Sequence, residues 1–290
     1  MLALRFEAPN SIDEAVALLS KADGEARVLG GGTDLVVQMR SGVAKPGLVV
    51  DVKRIPEMAK IVRDAGGFRI GAAVPCAALG EHAELKAAWP GVVEAARLIG
   101  STQIQGRATL GGNLCNASPA ADSVPAMIAA GAICVIAGPK GRRELPVEAL
   151  ATAPGKTSLA RGELVIEVRL AAQAARSSDA YLRFIPRTDM DIAVVGVGIS
   201  LTLDAKGVCT AARVALGAVA PRAMLVAEAG AALVGSSFDA ATLDRLAKAA
   251  SAACRPIDDK RGTIEYRTKV AGVLARRTAL IARDRAGSSR

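Results

Sequence analysis

The chain has 290 residues, 51% of them hydrophobic and 2% aromatic, and a formal charge of +9. That length holds one large domain or two ordinary ones, with apolar content enough for a sizeable core of Ala, Val, Leu and Ile. The scarcity of Phe and Tyr excludes RNA modules that stack bases on exposed rings. The basic residues, clustered only at 142–143, 260–267 and 276–290, read as solvated faces before a docking surface, and as a nucleic-acid site last.

In chain order, residues 1–11 lack a signal-peptide pattern. Ser11 and Glu14 then form a capping box ahead of a helix with apolar residues at Ile12, Ala15, Val16, Leu18 and Leu19. Strands are predicted at 27–29, 47–51 and 68–71, and helices at 33–39 and 90–99. Residues 100–115 are rich in Gly, Thr, Gln and Asn and lack helical periodicity. A helix over 122–130, a buried strand over 132–137 and an alternating strand over 163–170 follow. The longest uncharged stretch, 123–139, is broken by Pro125, Gly131 and Gly138, so it does not read as a membrane span.

Residues 171–179 are small and polar and predict a linker. Strands at 181–185, 192–203 and 211–217 and helices at 239–253 and 266–283 come next, with a frayed end over 286–290. No internal repeat is visible. The pattern predicts an α+β protein of two domains, 1–175 and 176–290.

Cys76, Cys115, Cys134, Cys209 and Cys254 are far apart and never form CxxC. That fits neither a disulfide framework nor a metal or iron–sulfur site made by this chain alone, and predicts free thiols in a reducing cytoplasm. His82 is the only histidine, in a helical-looking stretch, and reads as a surface residue.

Two glycine segments carry chemistry. Gly30-Gly31-Gly32-Thr33-Asp34 places unobstructed amides and a hydroxyl between a strand and a helix start, a setting that suits a pyrophosphate. It is not GxGxxG and lacks a P-loop lysine, so alone it is equally a tight strand–helix turn. Thr109-Leu-Gly-Gly-Asn113, followed by Asn116, Ser118 and Asp122, adds hydroxyls, amides and a carboxylate for phosphate and sugar oxygens. The alternative there is a long surface loop with its own Asx and Ser turns.

Leu29-Gly-Gly-Gly-Thr-Asp-Leu35 and Ile104-Gln-Gly-Arg-Ala-Thr-Leu-Gly-Gly-Asn-Leu-Cys-Asn-Ala-Ser-Pro-Ala-Ala-Asp122 resemble the FAD-binding subunit of molybdenum hydroxylases. This is the family of xanthine dehydrogenase, aldehyde oxidase and aerobic carbon monoxide dehydrogenase. Phe184-Ile-Pro-Arg-Thr-Asp-Met-Asp-Ile-Ala193, Gly217-Ala-Val-Ala-Pro221 and Asp258-Asp-Lys-Arg-Gly-Thr-Ile-Glu-Tyr-Arg267 resemble its flavoprotein C-terminal domain.

The resemblance implies a two-lobed FAD domain of the PCMH/vanillyl-alcohol-oxidase type, then a small α+β domain with a three-stranded sheet and helices. It implies a heterotrimer, assembled as a dimer of heterotrimers, with a small [2Fe–2S] subunit and a large molybdopterin subunit. This chain would pass electrons from the clusters through FAD to an external acceptor, and the substrate chemistry would lie elsewhere.

Carried over by residue, Leu29, Gly30, Gly31, Gly32, Thr33, Asp34, Leu35 and Val36 would wrap the pyrophosphate. Ile99 or Gly100 would lie near the flavin or adenine. Thr109, Gly111, Gly112, Asn113 and Asn116 would bind phosphate and ribityl oxygens, with Ser118 and Asp122 helping. Val165 would touch the adenine side, and Arg183, with Tyr181 as a weaker candidate, the isoalloxazine. An inserted cysteine-bearing loop for an extra [4Fe–4S] cluster is not found. FAD is expected to be non-covalent, with Cys115 the first suspect otherwise. Two alternatives stay open: a self-contained flavin oxidoreductase of the same superfamily, and a basic non-enzymatic scaffold or nucleic-acid binder.

Overall fold

The structure, a computed structural model, describes residues 4–288. Its first lobe is a parallel three-stranded sheet of β1 (Arg5–Glu7), β2 (Ala26–Leu29) and β3 (Leu48–Asp51), in the order β1-β3-β2. Two helices belong to it, α1 (Ile12–Lys21) and α2 (Leu35–Arg40). Ser11 caps α1 by accepting the Glu14 N–H at 3.2 Å. The Glu14 carboxylate reaches one residue beyond the usual capping box, to the Asn10 N–H at 2.9 Å. α1 buries Ile12, Ala15 and Leu19, whereas no residue of α2 is buried.

The second lobe opens with the hairpin β4 (Ile61–Asp64) and β5 (Gly67–Gly71), then a run of short helices: α3 (Cys76–Glu81), α4 (Ala83–Ala88), α5 (Pro90–Ala96), α6 (Thr102–Gln105), α7 (Leu110–Cys115) and α8 (Ser123–Ala129). The chain returns through β6 (Ile133–Gly138), β7 (Gly141–Pro146), the small pair β8 (Ala151–Ala153) and β9 (Lys156–Thr157), and β10 (Leu164–Ala171). β4, β5, β10, β6 and β7 form one antiparallel sheet in that order. The pairing of β10 with β6 shifts between Val165 and Glu167, and such a bulge re-aims side chains locally.

The remainder is an antiparallel sheet, β11 (Ser177–Phe184), β12 (Val195–Leu203), β13 (Cys209–Gly217) and β14 (Met224–Leu225), in chain order. Its helices are α9 (Ala227–Leu233), α10 (Ala240–Ala253) and α11 (Ile264–Ser288). The three long strands expected are thus joined by a two-residue fourth. A second apolar core, from Val195, Val197, Ile199 and Leu216 to Leu274 and Ala279, lies between this sheet and its helices.

Three local expectations change. Residues 100–115 contain two helices, α6 and α7, too short for a periodic signal to develop. The linker over 171–179 shrinks to 172–176, because β10 runs to Ala171 and β11 starts at Ser177. The frayed end is helical through Ser288 with Ala286 buried, and the last two residues of that expectation lie outside the described residues.

The sheets meet through helices of the first half. α8 packs against β11, β12 and β13. Asp179 of β11 accepts the N–H groups of Gly91 at 3.0 Å and Val92 at 2.9 Å, the first turn of α5. No described helix is long and apolar enough to cross a membrane.

Candidate cofactor site

β2 ends at Leu29 and the chain turns through the three glycines into α2. Gly32 takes a φ of +77°, which a side chain would resist. Gly31 is required for contact: a Cβ there would lie 2.0 Å from the Arg107 carbonyl oxygen. The first glycine segment therefore rests directly on the strand of chain that leads into the second. Lys53 fixes it from behind, its ammonium donating to the Gly30 carbonyl at 3.2 Å and to Asp51 at 2.6 Å. The N–H groups of Gly31, Gly32 and Thr33 donate to no partner among the described residues. α2 is only six residues long, so these free amides, more than the helix dipole, supply the attraction for an anion.

Opposite lies α7. Thr109 caps it, its hydroxyl accepting the Gly112 N–H at 2.9 Å, and the hydroxyl proton stays available to donate. The segment that follows is tied down at several points. Ser123 donates to Asn113 Oδ1 from its hydroxyl at 2.6 Å and its N–H at 3.2 Å. Gln38 of α2 donates to Asn116 at 2.9 Å, Gly155 N–H donates to the Ala117 carbonyl at 3.0 Å, and Ala218 N–H donates to the Pro119 carbonyl at 2.7 Å. Ala218 belongs to the Gly217–Pro221 motif, and its own carbonyl accepts from the buried Arg267 at 3.3 Å. The motifs of the second half thus brace the glycine segment of the first.

Between the two segments runs a cleft of about 340 Å³. Of the residues singled out from sequence, Gly30, Gly31, Gly32, Thr33, Asp34, Leu35, Ile99, Thr109, Gly111, Gly112, Asn113, Asn116 and Val165 line it. Leu29, Val36, Gly100, Ser118, Asp122 and Arg183 do not line this cleft. Ser118 instead turns back to the Ala120 N–H at 3.3 Å.

Asp122 and Arg183 pair with each other. The carboxylate accepts from Arg183 at 2.7 Å and from the Tyr181 hydroxyl at 3.0 Å, so both oxygens meet protein donors rather than standing free for a ribityl chain. Burial pushes the Asp122 carboxyl up to about 6, against the opposing pull of Arg183 and the Tyr181 hydroxyl. The Arg183 side chain is 5% exposed and that of Asp122 9%, so the ion pair is a buried one.

Other wall residues had no motif to announce them. Thr157, Leu159, Ala160, Arg161, Gly162, Glu163 and Leu164 line the cleft as one run of chain, and Leu19, Gly24, Ala26, Arg27, Val28, Gln38, Val52, Met58, Ala72, Ala108 and Cys115 complete it. The readable signal is the turn at Ala160–Gly162 before β10; the others are apolar or isolated polar positions with no motif around them, which the strands and helices carry to the cleft. Arg27 and Arg161 place two cations on its wall. Arg143 holds the Glu163 carboxyl below its usual range, through hydrogen bonds at 2.8 and 2.7 Å.

Cys115 is half-buried and lines the cleft; burial pushes its thiol up to about 12, with Cys134 adding to the rise. His82 is not a plain surface residue: its Nδ1 caps α4 by accepting the Leu85 N–H at 3.2 Å, and its ring meets Phe68 edge-on at 5.9 Å.

The family described as "FAD binding domain in molybdopterin dehydrogenase" matches residues 2–172, and "CO dehydrogenase flavoprotein C-terminal domain" matches residues 180–282. The chain belongs to the FAD-binding medium subunits of the molybdenum hydroxylases. The carbon monoxide dehydrogenase medium chain of Hydrogenophaga pseudoflava is 33% identical over 96% of each chain. That of Afipia carboxidovorans is 34% identical over 97% of each. A chain in a solved structure of reconstituted CO dehydrogenase from Oligotropha carboxidovorans superposes with a TM-score of 0.94 at 33% identity, covering 98% of both chains. As a member of this family the chain is an oxidoreductase subunit with an α+β FAD-binding domain followed by a flavoprotein C-terminal domain.

Proposed function

We propose that the cleft binds FAD non-covalently and that this subunit carries electrons from [2Fe–2S] clusters in a small partner to an external acceptor. The molybdenum cofactor belongs to a large partner in this reading, and the assembly is a dimer of heterotrimers in the cytoplasm. One observation carries the cofactor assignment: the unbonded amides of Gly31, Gly32 and Thr33 share one cleft with Thr109, Gly112 and Asn113. Such a wall rich in N–H and O–H donors suits a diphosphate. The apolar side chains of Leu159, Leu164 and Val165 suit a flat ring.

FAD bound there supplies a carrier for redox equivalents. The chain's own residues bind and orient it. Lys53 and Arg107 hold the first glycine segment in shape, and Thr109 and Asn113 offer donors from the second. The spacing of the five cysteines supports placing the clusters on a partner, and the relatives' description as medium chains supports an assembly of several subunits. The test is to purify the chain alone and identify its bound small molecule by absorption and chromatography. It is then mixed with its small and large partners, and flavin reduction is followed. FAD in equimolar amount, reduced by substrate only in the full assembly, is the expected result. A colourless chain rejects the cofactor reading, and reduction by substrate without partners rejects the electron-transfer reading.

A further inference from the structure

We propose that Ser123 is a positioning residue for the cofactor: it turns the Asn113 side chain so that its amide nitrogen, not its oxygen, is presented to an acceptor oxygen of FAD. The inference rests on the cofactor reading above and adds a residue outside the cleft wall.

A carboxamide has one accepting and one donating end, and the two are nearly isosteric. What a ligand meets therefore depends on which end the protein engages. At Asn113 this is decided by chemistry. The backbone N–H of Ser123 lies 3.2 Å from the Asn113 side chain, and a backbone N–H can only donate. The atom facing it must be Oδ1. The Ser123 hydroxyl adds a second donor to the same oxygen at 2.6 Å. Asn113 Nδ2 makes no hydrogen bond to the described residues, and Asn113 lines the cleft. Its free end is a donor pair, matched to a phosphate, hydroxyl or carbonyl oxygen.

Ser123 is held firmly enough to impose this. It is fully buried at 0% exposure and starts α8, directly after Asp122. Asp122 is fastened to Arg183 at 2.7 Å and Tyr181 at 3.0 Å. Strand β11 therefore steadies Asp122, Asp122 precedes Ser123 at the head of α8, and Ser123 sets Asn113.

The test is FAD affinity of the full chain, by quenching of flavin fluorescence, for wild type, Ser123→Ala, Asn113→Ala, the double variant and Asn113→Asp. Each alanine variant is expected to weaken binding about five- to tenfold, the range of one lost hydrogen bond. The double variant is expected to bind no more weakly than Asn113→Ala, because Ser123 acts only through that side chain. Asn113→Asp keeps an acceptor for Ser123 but turns an oxygen on the cofactor, so it is expected to lose more than either. Multiplying effects in the double variant, or wild-type affinity in Asn113→Asp, would overturn the role of Ser123 and leave FAD binding intact. Should Ser123→Ala not fold, the Asn113→Asp comparison alone decides. A wild-type chain that binds no FAD fails the cofactor reading itself.

Discussion

Asp179 accepts the Val92 N–H at 2.9 Å and thereby joins the β11–β14 sheet to the first turn of α5. The carboxylate is 1% exposed, and burial pushes it up to about 7. A carboxyl raised in the folded state, relative to its ordinary 3.8, contributes stability that is fully present below that value. The contribution is lost as pH rises through about 7. Asp122, raised to about 6, acts with the same sign. The carboxyls held low, Asp191, Asp239, Asp259 and Glu163, act with the opposite sign, but in the acid range below their ordinary values. The apoprotein should therefore lose thermal stability between pH 5 and 7.5. Asp179→Asn should flatten that decline while lowering Tm at pH 5, since the amide nitrogen would face an N–H. A slope unchanged by Asp179→Asn in a Tm series would show that this carboxyl does not titrate there.

Arg183 and Asp122 allow a second measurement. Removing one member of a buried pair strands the other charge, at about 3–5 kcal/mol, whereas replacing both by apolar or neutral groups of similar volume is near neutral. Arg183→Ala should be destabilised by that amount in urea unfolding at pH 7.5, and less at pH 5, where Asp122 can take up a proton. Arg183→Met with Asp122→Asn should recover most of it. If Arg183→Ala unfolds like wild type, the pair does not hold the two halves together.

The difference between a readable and an unreadable residue here is one of range. Ser11 and Thr109 each accept an N–H three positions away, and the sequence displays both partners at once. The strands carrying Val49, Val135 and Val168 show their burial as apolar runs. Asp122 and Arg183 are 61 positions apart, and from sequence each is only a charge near a motif; their pairing exists once α8 is laid on β11. The same holds for Arg161 and Leu164, which reach the cleft because β10 is inserted between β5 and β6. Helices as short as α6 and α7 bury too few positions for a period to be visible, so capping and tertiary contact decide them.

Gly31 and Gly112 separate a folding role from a binding role. A Cβ on Gly112 meets only the Thr109 hydroxyl, at 3.0 Å, whereas one on Gly31 meets the Arg107 backbone at 2.0 Å. Gly112→Leu should keep its fold, since replacing a helical glycine tends to gain up to about 1 kcal/mol, yet lose FAD because the side chain enters the cleft. Gly31→Ala should lose both stability and FAD. Circular dichroism melts alongside flavin content check this. Full FAD occupancy in Gly112→Leu would remove the second segment from the cofactor site.

Cys115 is the one thiol on the cleft wall, and its chemistry bears on how FAD is held. A thiol nucleophile acts as thiolate, and with its pKa pushed up to about 12 Cys115 is almost wholly protonated at neutral pH. A bond to the flavin would need that thiolate or a histidine, and His82, which caps α4, does not line the cleft. Acid precipitation of the yellow protein should therefore release all flavin to the supernatant. Cys115→Ser, which changes one atom on the cleft wall, should retain FAD at close to wild-type content. Colour that stays with the wild-type precipitate and leaves with that of Cys115→Ser would establish a covalent link at this residue and reverse the assignment.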